Sequence, residues 1–210
     1  MLQNRKIRSF FRRVKDKKVL TALYLSWHYT YLGFYDFKNK TSFSNSQTAA
    51  EGGVPMGGTG NFPAQPMLVR KYLKAADLKK DDQILDVGHG SGIVLHVAQQ
   101  MGFVNLSGVE YSSIAYSLSQ RNLGKSITLI HGDAVELDLS KYQSIFFFSP
   151  FRGTLAKQFF EKVVASPVKV VVTVNHDPII DPILCLQYKV TYRYQHFIYK
   201  NFNCKIWVRK

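Results

Sequence analysis

Cysteine is nearly absent. Cys185 and Cys204 are the only two, there is no CxxC, and no His/Cys cluster has metal-ligand spacing. This argues against a disulfide framework and a structural zinc site, so no metal is expected and a reducing cytoplasm fits best. Long hydrophobic runs are also missing. Val19–Tyr35 is seventeen residues without Lys, Arg, Asp or Glu, but it contains Ser26, His28, Thr30 and five tyrosines or tryptophans. A membrane span needs about 20 mostly apolar residues, and no small-residue cleavage site follows that would make this a signal peptide. The stretch reads as a docked or interfacial helix, which leaves peripheral membrane attachment open. No internal repeat or low-complexity tract interrupts the chain.

What is present in excess is positive charge, and it sits at the ends. The net charge is +14, yet residues 41–184 balance to zero. Residues 1–40 carry ten Lys/Arg against Asp16 and Asp36, and residues 185–210 carry six with no acid. Basic flanks of this kind attract an anionic partner: an acidic protein surface, nucleic acid or anionic lipid. The first of them, residues 5–18, places Ile7, Phe10, Phe11 and Val14 at helical spacing among eight Lys/Arg, which predicts a basic amphipathic helix.

Residues 38–66 turn to Ser, Thr, Asn, Gly and Pro and predict a long loop, the kind that serves as a lid. A helix is expected at about 66–76. From Asp82 onward short apolar strands alternate with helices: strands at 83–87, 104–110, 126–131, 143–148 and 168–175, helices at 91–101, 112–122 and 153–165. That alternation predicts a parallel sheet covered on both faces. Gln187–Tyr199 and Phe202–Val208 are β-rich runs around a Lys-Asn turn and predict an antiparallel hairpin. The expected architecture is a doubly wound, mostly parallel seven-stranded α/β sheet with this C-terminal hairpin. Residues 1–65 would form a basic helical extension and a Gly-rich lid loop, and residues 66–210 the main α/β domain.

The chemistry centres on Ile84-Leu-Asp-Val-Gly-His-Gly-Ser-Gly-Ile, in which an apolar strand runs through Gly88, Gly90 and Gly92 into a helix. Dinucleotide sites use G-x-G-x-x-G with pyrophosphate at the helix N-terminus. Here the spacing is G-x-G-x-G, with Asp86 two residues earlier, where a carboxylate suits a cationic ligand and repels pyrophosphate. This pattern resembles the class I (Rossmann-like) methyltransferases that use S-adenosylmethionine (SAM). Their first motif is matched by Asp86, Gly88, Gly90 and Gly92. Their second, an acid ending the next strand, is matched by Glu110, which by this resemblance takes both ribose hydroxyls. A third acidic position after strand three is matched by Asp133, on the adenine amino group. His89, Tyr111 and Ala134 adjoin these residues and complete the expected cofactor set, with His89 facing solvent or the cofactor edge.

The fourth strand ends in Ser149-Pro150-Phe151, where the family places residues facing the transferred methyl, and these are the catalytic candidates. The tripeptide looks like a shortened form of the [Asp/Asn/Ser]-Pro-Pro-aromatic motif of amino-group methyltransferases. It also looks like the Asn-Pro-Phe of small bacterial enzymes related to the non-SET histone-lysine methyltransferases, with Ser in place of Asn. The resemblance implies methyl transfer to a nitrogen nucleophile, with a protein lysine expected. Alternatives are a base amino group of nucleic acid, a small molecule or glycan, and a non-enzymatic SAM-binding regulatory module. A carbonyl of Ser149 or Pro150 would orient the acceptor N–H, and Phe151 would pack on it. Tyr35-Asp36, the loop 52–62 and Asn61-Phe62-Pro63 are expected to fold over the site. Asn175-His176-Asp177-Pro178 is expected at its rim, and Tyr188, Tyr192, Tyr194 and Tyr199 read as hairpin packing.

Overall fold

The computed structural model describes residues 17–45, 48–54 and 56–210. The basic helix expected over 5–18 lies outside the described residues except at its last two positions. A long helix α1 (Lys17–Asn39) comes first, followed by an irregular segment and α2 (Pro66–Ala75). The alternating region then gives β1 (Ile84–Val87), α3 (Ile93–Gln100), β2 (Leu106–Glu110), α4 (Ser113–Asn122), β3 (Thr128–His131), β4 (Ser144–Phe147), α5 (Gly153–Ala165) and β5 (Val170–Val174). A short α6 (Asp181–Cys185) precedes β6 (Tyr188–Tyr194) and β7 (Cys204–Arg209).

The seven strands form one sheet in the order β3-β2-β1-β4-β5-β7-β6. The first five are mutually parallel, and β7 runs antiparallel to both β5 and β6. The expected hairpin is therefore present. Its connection, however, is not a tight Lys-Asn turn but residues 195–203, which include a 3-10 turn at Lys200–Phe202.

Burial on both faces explains the continuous apolar strands, since helices shield each side of a parallel sheet. Side-chain alternation divides each strand between two cores. Phe146, Val172 and Ile206 join Leu95, Val69 and Leu32 on the face carrying α1, α2 and α3. Phe147, Val171 and Trp207 join Phe159 and Phe160 of α5 on the other. The chain order reverses between β1 and β4, and a crevice opens at the strands' carboxyl ends at such a switch point.

Helix α1 is docked by one face. Tyr24, His28, Leu32 and Asp36 recur every four residues and are all buried. The Asp36 carboxylate accepts hydrogen bonds from the Phe43 and Ser44 amides and from Thr41 Oγ1 at 2.7–2.8 Å. It thereby turns the chain and seats Phe43 in the core. Tyr35 bonds Gln100 on α3. The pair Tyr35-Asp36 thus anchors α1 instead of folding over the site.

His28 holds the next segment. Its Nε2–H donates to the Pro63 carbonyl at 3.2 Å, and its ring stacks on Phe62. Burial lowers its pKa to about 4, so it is neutral at pH 7. A histidine held neutral in the fold but titrating near 6.5 when unfolded costs stability as pH falls from 6.5 toward 4, because the unfolded chain binds the proton first. His28→Ala is expected to destabilise the protein by roughly 1–3 kcal/mol at pH 7. That deficit should shrink as pH approaches 4, in urea melts across this range. A constant deficit would show that His28 is not held neutral by the fold.

Candidate active site

The turn after β1 is pinned to β2, since the Gly88 and His89 amides both donate to the Val109 carbonyl. Gly88 has φ 67°, and a Cβ placed there would lie 2.2 Å from Pro150 Cβ. Any side chain would push β4's end away from β1's. Gly90 has φ 55° and donates its amide to Glu110 Oε2 at 2.9 Å. The other oxygen, Oε1, accepts from the Ser112 amide at 2.8 Å. A carboxylate on β2 therefore holds both the glycine turn and the start of α4, and each oxygen retains a second lone pair for a ligand.

Asp86 is buried beside Glu110, and its Oδ2 has no hydrogen-bond partner. Burial, reinforced by the Glu110 charge, pushes its pKa well above the ordinary aspartate value. Burial also raises Glu110, against the lowering effect of its backbone N–H donors. The two carboxyls face a cavity of about 320 Å³, within the size range of small-molecule sites.

All the expected cofactor and catalytic residues except Gly92 line this cavity, and of the expected rim residues 175–178 only Asn175 does. Gly92 sits behind them as the N-cap of α3. Tyr111 is exposed at the rim and Ala134 is buried. Asp133 is exposed, with Oδ1 already accepting from the Val135 amide. His89 does not face solvent: it is buried and lines the cavity. Its ring packs against Gly108, where a Cβ would come within 2.5 Å of His89 Cδ2. Nδ1–H donates to the Gly90 carbonyl, and burial lowers the pKa to about 4, so the ring is neutral at pH 7. Its buried Nε2 has no partner.

The Gly-rich segment closes over the other wall. Thr59 Oγ1 donates to the Ser149 carbonyl and the Thr59 amide to the Pro150 carbonyl, both at 2.8 Å. The Arg152 amide donates to Gly57 O, and Gly58 bridges Phe151. The two carbonyls expected to orient an acceptor each accept one hydrogen bond from the lid and keep a second lone pair. Phe151 packs edge-on against Phe147 and Phe159 as much as it lines the cavity. Ser149 stands out: φ is 44°, and its buried Oγ has no partner. Asn175, at φ 52°, ends the neighbouring β5 on the same cavity. Non-glycine residues held at positive φ cluster at functional sites.

Thr59, Ser112 and the His28 anchor escaped the sequence reading. Their roles come from pairings with no local periodicity, and only the Ser112 position after Glu110, an N-cap serine, left a signal. Asn61 was expected in the lid and is there: its side-chain oxygen would lie 2.3 Å from a Cβ on Gly90.

No protein-family model matches the chain. Solved structures do. The ribosomal protein L11 methylase of Lactobacillus delbrueckii subsp. bulgaricus aligns at 16% identity and TM-score 0.59, over 71% of this chain and 81% of that one. Magnesium protoporphyrin IX methyltransferase of Synechocystis PCC 6803, with bound SAM, aligns at 15% and 0.55, over 69% and 77%. A glycopeptide N-methyltransferase complexed with S-adenosyl-L-homocysteine aligns at 8% and 0.56, over 68% and 88%. The fold is that of the class I methyltransferases. Within this methyltransferase fold the buried Asp86–Glu110 pair marks the carboxyl ends of β1 and β2.

A carboxyl that folding holds protonated weakens the fold as pH rises above its ordinary value, because the native state keeps the proton longer than the unfolded chain. Relative to Asp86→Asn, the wild type is therefore expected to lose stability as pH rises above about 4. Paired urea melts from about pH 4 upward check it. A difference independent of pH would mean that Asp86 ionises as an ordinary aspartate.

Proposed function

We propose that the chain is a SAM-dependent methyltransferase. The observation that carries this reading is the pair of buried carboxyls on adjacent strands, one with an oxygen lacking any partner. Such a site favours a ligand bearing positive charge and hydroxyl donors over one bearing phosphate. SAM, with its ammonium, its sulfonium and a vicinal diol, has that chemistry. Glu110 would take the ribose hydroxyls, the Asp86–Gly90 turn would hold the charged end, and Asp133 with Ala134 the adenine. Bound there, the cofactor supplies an electrophilic methyl group. The chain's task is alignment and exclusion of water rather than proton transfer, which suits a site whose histidine is buried and neutral.

One observation counts against the lysine acceptor. A second cavity, which shares Asn175 with the first, is lined by Arg193, Lys200 and Lys205. Lys205 pairs with Asp181, but among the described residues Arg193 and Lys200 have no ion-pair partner. Cations beside the main cavity oppose a lysine side chain and favour an anionic acceptor. We favour a neutral nitrogen of such an acceptor, a nucleic-acid base amine first, with its N–H donating to Ser149 Oγ.

Glu110→Ala is expected to weaken SAM binding by roughly 2–4 kcal/mol in calorimetry on folded protein. Unchanged affinity would remove Glu110 from the cofactor site. With labelled SAM and separate nucleic-acid and protein fractions, label is expected in nucleic acid, at a rate nearly independent of pH from 7 to 9. Ser149→Ala should lower that rate by roughly the 1–3 kcal/mol of one buried hydrogen bond. A lysine acceptor, with a reference pKa of about 10.4, would instead react faster as pH rises. Label in protein with that pH dependence would restore the lysine reading.

A further inference from the structure

The outward face of α1 is apolar although nothing described covers it. Val19 is 48% exposed, Leu23 63%, Trp27 47%, Phe34 66% and Phe37 83%. At about 100° per residue these five fall within roughly a quarter turn of one another, along about 27 Å of helix. The opposite face, Tyr24, His28, Leu32 and Asp36, is buried against the domain. The helix is thus consumed on one side and left greasy on the other. A merely solvated surface helix would carry charge on that side, but no charged residue occurs from Val19 to Tyr35.

We infer that this stripe, together with the basic segment before it, docks the protein in the headgroup layer of an anionic lipid bilayer. Three observations select this occupant. Residues 1–18 carry eight Lys/Arg and one acid and run directly into the N-terminal end of the stripe, which supplies attraction to anionic headgroups. The stripe is Val, Leu, Trp and Phe with Thr30 among them and no cation, so it suits the acyl boundary and offers no positive charge to a phosphate backbone. A second copy packed on it would bring together two chains of net charge +14, which opposes self-association. Among the described residues no helix is long and apolar enough to cross a membrane, so the geometry is that of a helix lying in the interface.

The inner face gives docking a route to the site. Tyr24 donates to Gln65 Oε1 and His28 to the Pro63 carbonyl, while Phe62, Pro63 and Ala64 line the main cavity. A bilayer held by Trp27 and Phe34 would therefore bear on the helix that holds the lid.

The full chain is tested with phosphatidylcholine vesicles, with and without phosphatidylglycerol. It is expected to co-sediment with the anionic vesicles only, less so at high salt. Tryptophan emission should shift to the blue, and the signal reports on Trp27 because Trp207 is buried. The triple variant Leu23→Glu, Phe34→Glu, Phe37→Glu alters exposed positions only. It should keep the wild-type circular dichroism and melting temperature and lose vesicle affinity by roughly tenfold or more. Failure of the wild type to bind anionic vesicles would overturn the inference, as would equal binding by the folded variant. So would a dimer in sedimentation equilibrium that the variant dissolves, since the stripe would then belong to a second copy.

Discussion

One carboxylate organises the cavity. Glu110, at the end of β2, accepts from the Gly90 amide with one oxygen and the Ser112 amide with the other. It thereby fixes the loop entering α3 against the loop entering α4. Besides Glu110, the Val109 carbonyl, the His89 ring and the Asn122 side chain hold the glycine turn. A negative charge in that place is costly to bury, and the two backbone N–H donors are what make it tolerable. Asp86 has no such compensation on Oδ2, and that unmet acceptor is what the proposed cationic, hydroxylated ligand rests on.

The second wall depends on close approach. Pro150 can rest on Gly88 because the glycine has no Cβ, and this brings the ends of β1 and β4 together at the switch point of the sheet. The lid then adds itself as an extra layer. Thr59 ties both carbonyls of the Ser149-Pro150 pair, Asn61 reaches the Gly90 backbone, and α1 holds the far end through His28 and Tyr24. The segment that sequence composition marks only as a loop is thus held at several points by ordinary hydrogen bonds. Ser149 is left at the centre with a strained backbone and an unused hydroxyl.

Charge is distributed in opposition. The cavity holds two buried carboxyls, while the basic excess of the chain lies at the two ends and along the second cavity. The proposed cationic ligand inside and anionic partner outside would be compatible in one molecule, because burial shields the Glu110 charge from salt whereas the outer charges act over about a Debye length. In the proposed docking, the apolar face of α1 adds a term that charge alone does not contain.

Sequence alone determined the sheet and the glycine turn beside its two carboxyls. Strand and helix order, α5 at its observed bounds, the glycine spacing after Asp86 and the acid at Glu110 are all local patterns, because period-two and period-3.6 burial and a turn that only glycine allows are written in neighbouring residues. Tertiary structure decided what depends on distant partners. It turned the His89 ring inward against Gly108, moved Tyr35-Asp36 from the site to an anchoring role, and gave the Ser149 and Pro150 carbonyls to Thr59. It also showed which side of the uncharged α1 stretch is buried. Hydrogen bonds and packing across tens of residues have no period in the chain, so only the folded backbone reveals which donor reaches which acceptor.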